Sequence, residues 1–118
     1  QIVKYRLIEE GNMYLLDLDN SEVSVIPREG FSGIFHPHGV SIYQTEDNRT
    51  FLYIVNHQNL GMPDQVLIFE FKNEKLYHVK TIEDDKFVSL NGIIASGEHS
   101  FYVSNDVGYK RDDWRNLA

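Results

Sequence analysis

The stretch VSIYQTEDNRTFLYIVNHQNLGMPDQVLIFEFKNEKLYHVKTI, residues 40–82, decides the fold. It holds four runs rich in β-branched and aromatic residues: VSIY, FLYIV, VLIFEF and LYHVKTI. Each has the length of a strand, and none keeps a 3.6-residue apolar period over several turns. We therefore expect strands over 39–43, 51–55, 65–71 and 76–82. The connectors are polar, and Lys72-Asn73-Glu74-Lys75 is short enough to close a hairpin. Four strands joined in succession over about forty residues have the size of one β-propeller blade.

Outward from this meander the pattern repeats in halves. Upstream, MYLLDL within 12–18 and EVSVI at 22–26 read as a strand pair. Asp19-Asn20-Ser21 joins them, and these side chains bond the local backbone in tight turns. Downstream, residues 92–95 and 101–104 read as another pair, joined by Ser96-Gly97-Glu98-His99-Ser100. Residues 109–117, with Asp112 and Asp113 near the start, suit a short terminal helix. The expectation is an all-β chain holding one whole blade and two half blades. A blade buries its faces against its neighbours, so the open flanks call for the remaining blades or another chain.

The composition narrows the function classes. The chain has 118 residues, 42% of them apolar, which suits a single globular unit. A net charge of -7 with scattered Lys and Arg argues against nucleic acid as a partner. The absence of cysteine removes disulfides, thiolate metal sites and cysteine nucleophiles. No apolar run approaches the roughly twenty residues of a membrane-spanning helix. Association with a membrane or lipid surface is otherwise undecided by these residues. No signal-peptide pattern precedes the first strand, and the chain opens at Gln1 without a Met, so we expect a processed chain or a fragment. Asn48-Arg49-Thr50 is an N-glycosylation sequon in a polar turn.

Two groups of residues can carry chemistry. His36-Pro37-His38-Gly39 stands before one strand, and Asn56-His57 ends the next. Antiparallel neighbours place the start of one strand beside the end of the other, so His38 and His57 can meet at one blade edge. Paired imidazoles can act as a general base. Two structural histidines at strand ends fit the same spacing, and spacing alone favours them. Asn91 and Asn105-Asp106 are placed alike around the next hairpin. Their oxygens are hard donors that suit Ca²⁺, although Asn and Asp also crowd strand ends as turn formers. Asp17, Asp19 and Glu22 lack the Gly and closing Glu of an EF-hand, and Glu83-Asp84-Asp85 reads as a solvated turn. No phosphate-binding loop and no Gly-x-Ser-x-Gly elbow is present.

Taken in order, HPHGVSIY at 36–43, LYIVNH at 52–57, VLIFEF at 66–71, LYHVKTI at 76–82 and SLNGIIASGEHSFYVSND at 89–106 resemble the paraoxonase (arylesterase) family. GNMYLLDL at 11–18 fits as well, so the resemblance covers nearly the whole chain. It implies part of a six-bladed β-propeller, residues 1–118 forming roughly a third of it by blade count. It implies calcium-dependent hydrolysis of small-molecule lactones and aryl esters in the intact propeller. By position, His38 matches the proposed general base, His57 its partner, and Asn91 a ligand of the catalytic Ca²⁺. Val40 matches the residue whose backbone carbonyl binds a second, structural Ca²⁺, and Asp106 falls on a position near the active site. The family usually has Asp after the calcium-binding Asn. Here Gly92 offers no side-chain oxygen, which puts the second site in question. The resemblance, with the sequon at Asn48, implies a secreted glycoprotein. A non-catalytic paraoxonase-like chaperone or interaction protein is the competing expectation: Gly92 favours it, while His38, His57 and Asn91 favour the enzyme.

Overall fold

The computed structural model describes residues 10–59 and 61–108. The regular elements among the described residues are all strands: β1 Tyr14–Leu16, β2 Val23–Val25, β3 Arg28–Glu29, β4 Pro37–Gln44, β5 Thr50–Asn56, β6 Gln65–Lys72, β7 Lys75–Glu83, β8 Leu90–Gly97 and β9 Ser100–Asn105. The helix expected over 109–117 lies outside them.

β4, β5, β6 and β7 pair antiparallel in chain order, the blade expected from the sequence. β1–β2 and β8–β9 are separate hairpins on either side of it. Turn chemistry closes these hairpins. Asn73 and Glu74 both have positive φ, 52° and 60°, the backbone of a type I′ turn between β6 and β7. Between β1 and β2, the side chains of Asp17 and Asn20 accept the N–H groups of Asp19 and Glu22 at 2.8 and 2.9 Å. Those acidic and amide groups form the turn. In the Glu83-Asp84-Asp85 segment, Asp84 Oδ1 accepts the Lys86 N–H at 2.9 Å, and this bond holds its carboxyl below the usual carboxylate range.

One strand was not foreseen. β3 adds to the outer edge of the blade in parallel with β7, pairing Arg28 with Leu76 and Glu29 with Tyr77. A two-residue Arg-Glu strand carries no apolar pattern, and its register is set by the chain descending from β2: Pro27 O accepts the Leu76 N–H at 2.8 Å.

Alternation along β5 divides the core between two faces. Leu52 and Ile54 pack with Ile26, Phe35, Leu67, Phe69 and Leu76 on the β1–β2 side. Phe51, Tyr53 and Val55 pack with Val66, Leu90 and Ile93 on the β8–β9 side. β5 and β6 are thus buried on both faces, which is how a blade sits between its neighbours. Full burial of side chains of this size contributes about 1.5–3 kcal/mol each. The chain is part of a β-propeller.

Candidate functional site

The site lies where β4 of one blade meets β8 of the next, and it is built on matched irregularities. In β4, Pro37 pairs with Asn56 and Val40 with Ile54, so β4 carries one extra residue. In β8, Leu90 pairs with Asn105 and Ile93 with Val103, the same extra residue at the same place. These are β-bulges, which re-aim side chains at a strand's start. His38-Gly39 occupies the first bulge and Asn91-Gly92 the second. Both strands consequently begin before the apolar pattern does.

The backbone around the two bulges repeats as well. Asn56 Oδ1 accepts the His36 N–H at 2.6 Å, and Asn105 Oδ1 accepts the Ser89 N–H at 3.1 Å. The N–H of His57 bonds His36 O, and that of Asp106 bonds Ser89 O, at 3.1 and 2.8 Å. His38 and Asn91 therefore hold equivalent positions in successive blades, as do His57 and Asp106. Asn105 serves the fold, since its Nδ2 also donates to Lys86 O at 2.9 Å.

Gly39 brings the two bulges together. A Cβ there would lie 2.5 Å from the Asn91 carbonyl oxygen, closer than any side chain tolerates. Below this contact, Ser41 Oγ accepts the Ala95 N–H at 2.9 Å and the Tyr53 hydroxyl donates to Glu98 O at 2.6 Å. Burial, with the Glu98 charge second, pushes the Tyr53 phenol up.

Two expected residues meet as the antiparallel rule requires. The His38 and His57 rings are 4.9 Å apart by centroid and inclined by 31°. His38 is exposed, while His57 keeps only 17% of its side-chain surface accessible. His38 Nε2 donates to Asn91 Oδ1 at 2.8 Å, which in a neutral ring leaves the lone pair on Nδ1. His57 Nε2 faces Leu90 O at 2.9 Å; a carbonyl only accepts, so this nitrogen bears the hydrogen. Asn91, Leu90, His38 and His57 thus form one polar joint between blades.

Two members of the joint were missed in the sequence. His36 meets His57 edge-on, with 6.0 Å between ring centroids and 60° between the ring planes. Asp64 is fully buried, and its Oδ2 accepts the Leu90 N–H at 2.7 Å and lies 3.8 Å from His57 Nε2. The register would have found it: Asn56 pairs with Gln65, so the flanking His57 and Asp64 are neighbours.

As a donor for Ca²⁺ at this joint, Asn91 is the fitting side chain among the described residues. Asn91 Oδ1 is a hard amide oxygen on an exposed residue, with a second lone pair beside the one that His38 uses. Calcium takes six to eight oxygens. Among the described residues no group of three or more His, Cys, Asp or Glu is placed to hold a metal. Val40 lies in β4 opposite Ile54, and Gly92 supplies no side-chain oxygen. A Cβ at Gly92 would touch only Ser104 Oγ, at 3.4 Å, so the backbone there has room for a side chain. Asp106 is exposed at the end of the β8–β9 hairpin. Asn48 is exposed in the β4–β5 turn, with φ of 67°.

Comparison with known proteins gives the site its context. The chain is 32% identical over 102 residues to human serum paraoxonase/lactonase 3, a match covering 83% of this chain and 29% of the relative. It is 36% identical over 101 residues to mouse serum paraoxonase/arylesterase 1, covering 81% and 28%. It is 35% identical over 102 residues to chicken serum paraoxonase/arylesterase 2, again covering 81% and 28%. The chain thus spans under a third of the length of these relatives. The arylesterase family model matches residues 4–115, nearly the entire sequence. With that match over a chain built of propeller blades, the protein belongs to the arylesterase family.

Proposed function

We propose that the protein containing this chain hydrolyses small-molecule aryl esters and lactones, with the joint between β4 and β8 as part of its active site. One observation carries the reading: His38 is exposed, stacked on His57 and anchored through Nε2 by Asn91. The relatives named arylesterase and lactonase supply the substrate class.

In this reading His38 Nδ1 takes the proton of the attacking water. Asn91 fixes the tautomer, because its oxygen holds the hydrogen on Nε2. His57 lies against the His38 ring and limits its rotation, its own Nε2–H tied to Leu90 O. A positioned base of this kind contributes about 10²–10⁴-fold to the rate. Asn91 Oδ1 is the ligand this chain would give to Ca²⁺, with the other oxygens coming from outside the described residues. Calcium held there would supply Lewis-acid polarisation of the ester carbonyl and charge stabilisation of the oxyanion. We further propose secretion, with a glycan on the exposed Asn48, in keeping with the serum proteins it matches.

The test is His38→Gln in the full-length protein, assayed on an aryl ester and a lactone. The proposal expects a rate loss of about 10²-fold or more at an unchanged unfolding temperature. Unchanged rates on both substrates would leave His38 a structural residue. A non-catalytic paraoxonase-like protein is the alternative that Gly92 favours, and it predicts no turnover by the unmodified protein on either substrate.

A further inference from the structure

We infer that Asp64 is a positioning residue for the histidine pair, a role that deepens the hydrolytic reading above and rests on it. Asp64 follows Pro63 immediately before β6, and its own N–H bonds Phe87 O at 3.0 Å. The loop entering β6 is thereby tied to the segment preceding β8. Its carboxylate then reaches the other side of the joint: Oδ2 accepts the Leu90 N–H at 2.7 Å and stands 3.8 Å from His57 Nε2. Leu90 closes the ring, because its carbonyl accepts the His57 Nε2–H at 2.9 Å. The next residue is Asn91, which holds His38.

A single buried carboxylate therefore acts on both imidazoles. Through Leu90 it sets the height of the β8 bulge, and with it the position of Asn91 against His38. Its charge, 3.8 Å from His57 Nε2, adds to the Leu90 carbonyl that accepts the Nε2–H, so the two together favour the tautomer with hydrogen on Nε2. A fully buried carboxylate is costly unless hydrogen-bonded, and an amide or hydroxyl could accept the Leu90 N–H at lower cost. The negative charge beside an imidazole N–H is what only an acid supplies. This is the arrangement by which outer groups orient reactive histidines.

The test uses the full-length protein, wild type and Asp64→Asn. Asn keeps an acceptor for Leu90 N–H and removes the charge, and Asp64→Ser serves if Asn fails to fold. Ring ¹⁵N resonances, with His57 assigned by loss of signal in His57→Gln, report the tautomer, and ester hydrolysis reports kcat and KM. The positioning role predicts that wild-type His57 carries its hydrogen on Nε2 and that the variant shifts toward a tautomer mixture. It also predicts a kcat lower by about tenfold or more at a KM within about twofold. An unchanged His57 spectrum and unchanged kcat in a folded variant would overturn it, whatever happens to the unfolding temperature. A wild type without turnover would sink the hydrolytic reading, while the ring spectra would still decide the role of Asp64.

Discussion

Replacing Gly39 with Ala tests the joint through a single carbon atom. The added Cβ would sit 2.5 Å from the Asn91 carbonyl oxygen and 3.6 Å from both the Asn91 carbonyl carbon and Gly92 Cα. All three are backbone atoms, so no flexible side chain can yield. Reaching even 3.0 Å demands that β8 retreat by about 0.5 Å, and ordinary contact demands about twice that. Overpacking of this kind costs about 1–3 kcal/mol. For a protein larger than about 150 residues, each kcal/mol lowers Tm by roughly 2–4 °C, so a drop of about 2–12 °C is expected. Asn91 retreats with β8, and the 2.8 Å bond to His38 lengthens past useful geometry. The proposed ester hydrolysis should fall with it. Gly92→Ala is the matched control, since its Cβ meets only Ser104 Oγ at 3.4 Å. Differential scanning calorimetry and initial-rate assays on both variants decide the matter. A Gly39→Ala protein with the wild-type Tm and rate would refute the close approach of the two bulges.

Other expectations are more local. Glu74→Gly relieves a positive φ of 60° in the β6–β7 turn and should stabilise by about 0.5–1 kcal/mol, read by urea unfolding. Arg49 bonds Glu70 at 3.1 and 3.2 Å and holds the Glu70 carboxyl below its ordinary 4.5. Glu70 binds its proton more weakly when folded, so its contribution is present above about pH 4.5 and fades as pH falls through the lower folded value. Acid titration of stability should therefore flatten in Glu70→Gln. Gly92→Asp adds carboxylate oxygens where there is room for them. If Val40 takes part in a second calcium site, this variant should gain a calcium-dependent rise in Tm over the wild type, and no gain would argue against that site.

The four-stranded blade was legible because residues 40–82 alternate strand-length apolar runs with polar turns. The meeting of His38 with His57 was legible too, as it needs only the antiparallel sense of β4 and β5. β3 was not, because two residues held by an edge contact have no periodicity to read. The paired bulges were hidden for a similar reason. One extra residue leaves composition unchanged, and only the tertiary register reveals that His38 and Asn91 occupy the same place in successive blades. Asp64 follows Pro63 in a loop, and nothing in that dipeptide sets it apart from an ordinary loop acid. Its function depends on how far the loop between β5 and β6 carries it, and strand register counts that out where loop composition does not.

Calcium-dependent ester and lactone hydrolysis at this joint, as proposed above, is open to direct test. Its most direct measurement is hydrolysis of an aryl ester and a lactone by the full-length protein, before chelation, after chelation, and after calcium is restored. Turnover that disappears with the chelator, returns with calcium and is largely lost in His38→Gln is the predicted result. Turnover indifferent to chelation, or absent throughout from folded protein, would contradict it.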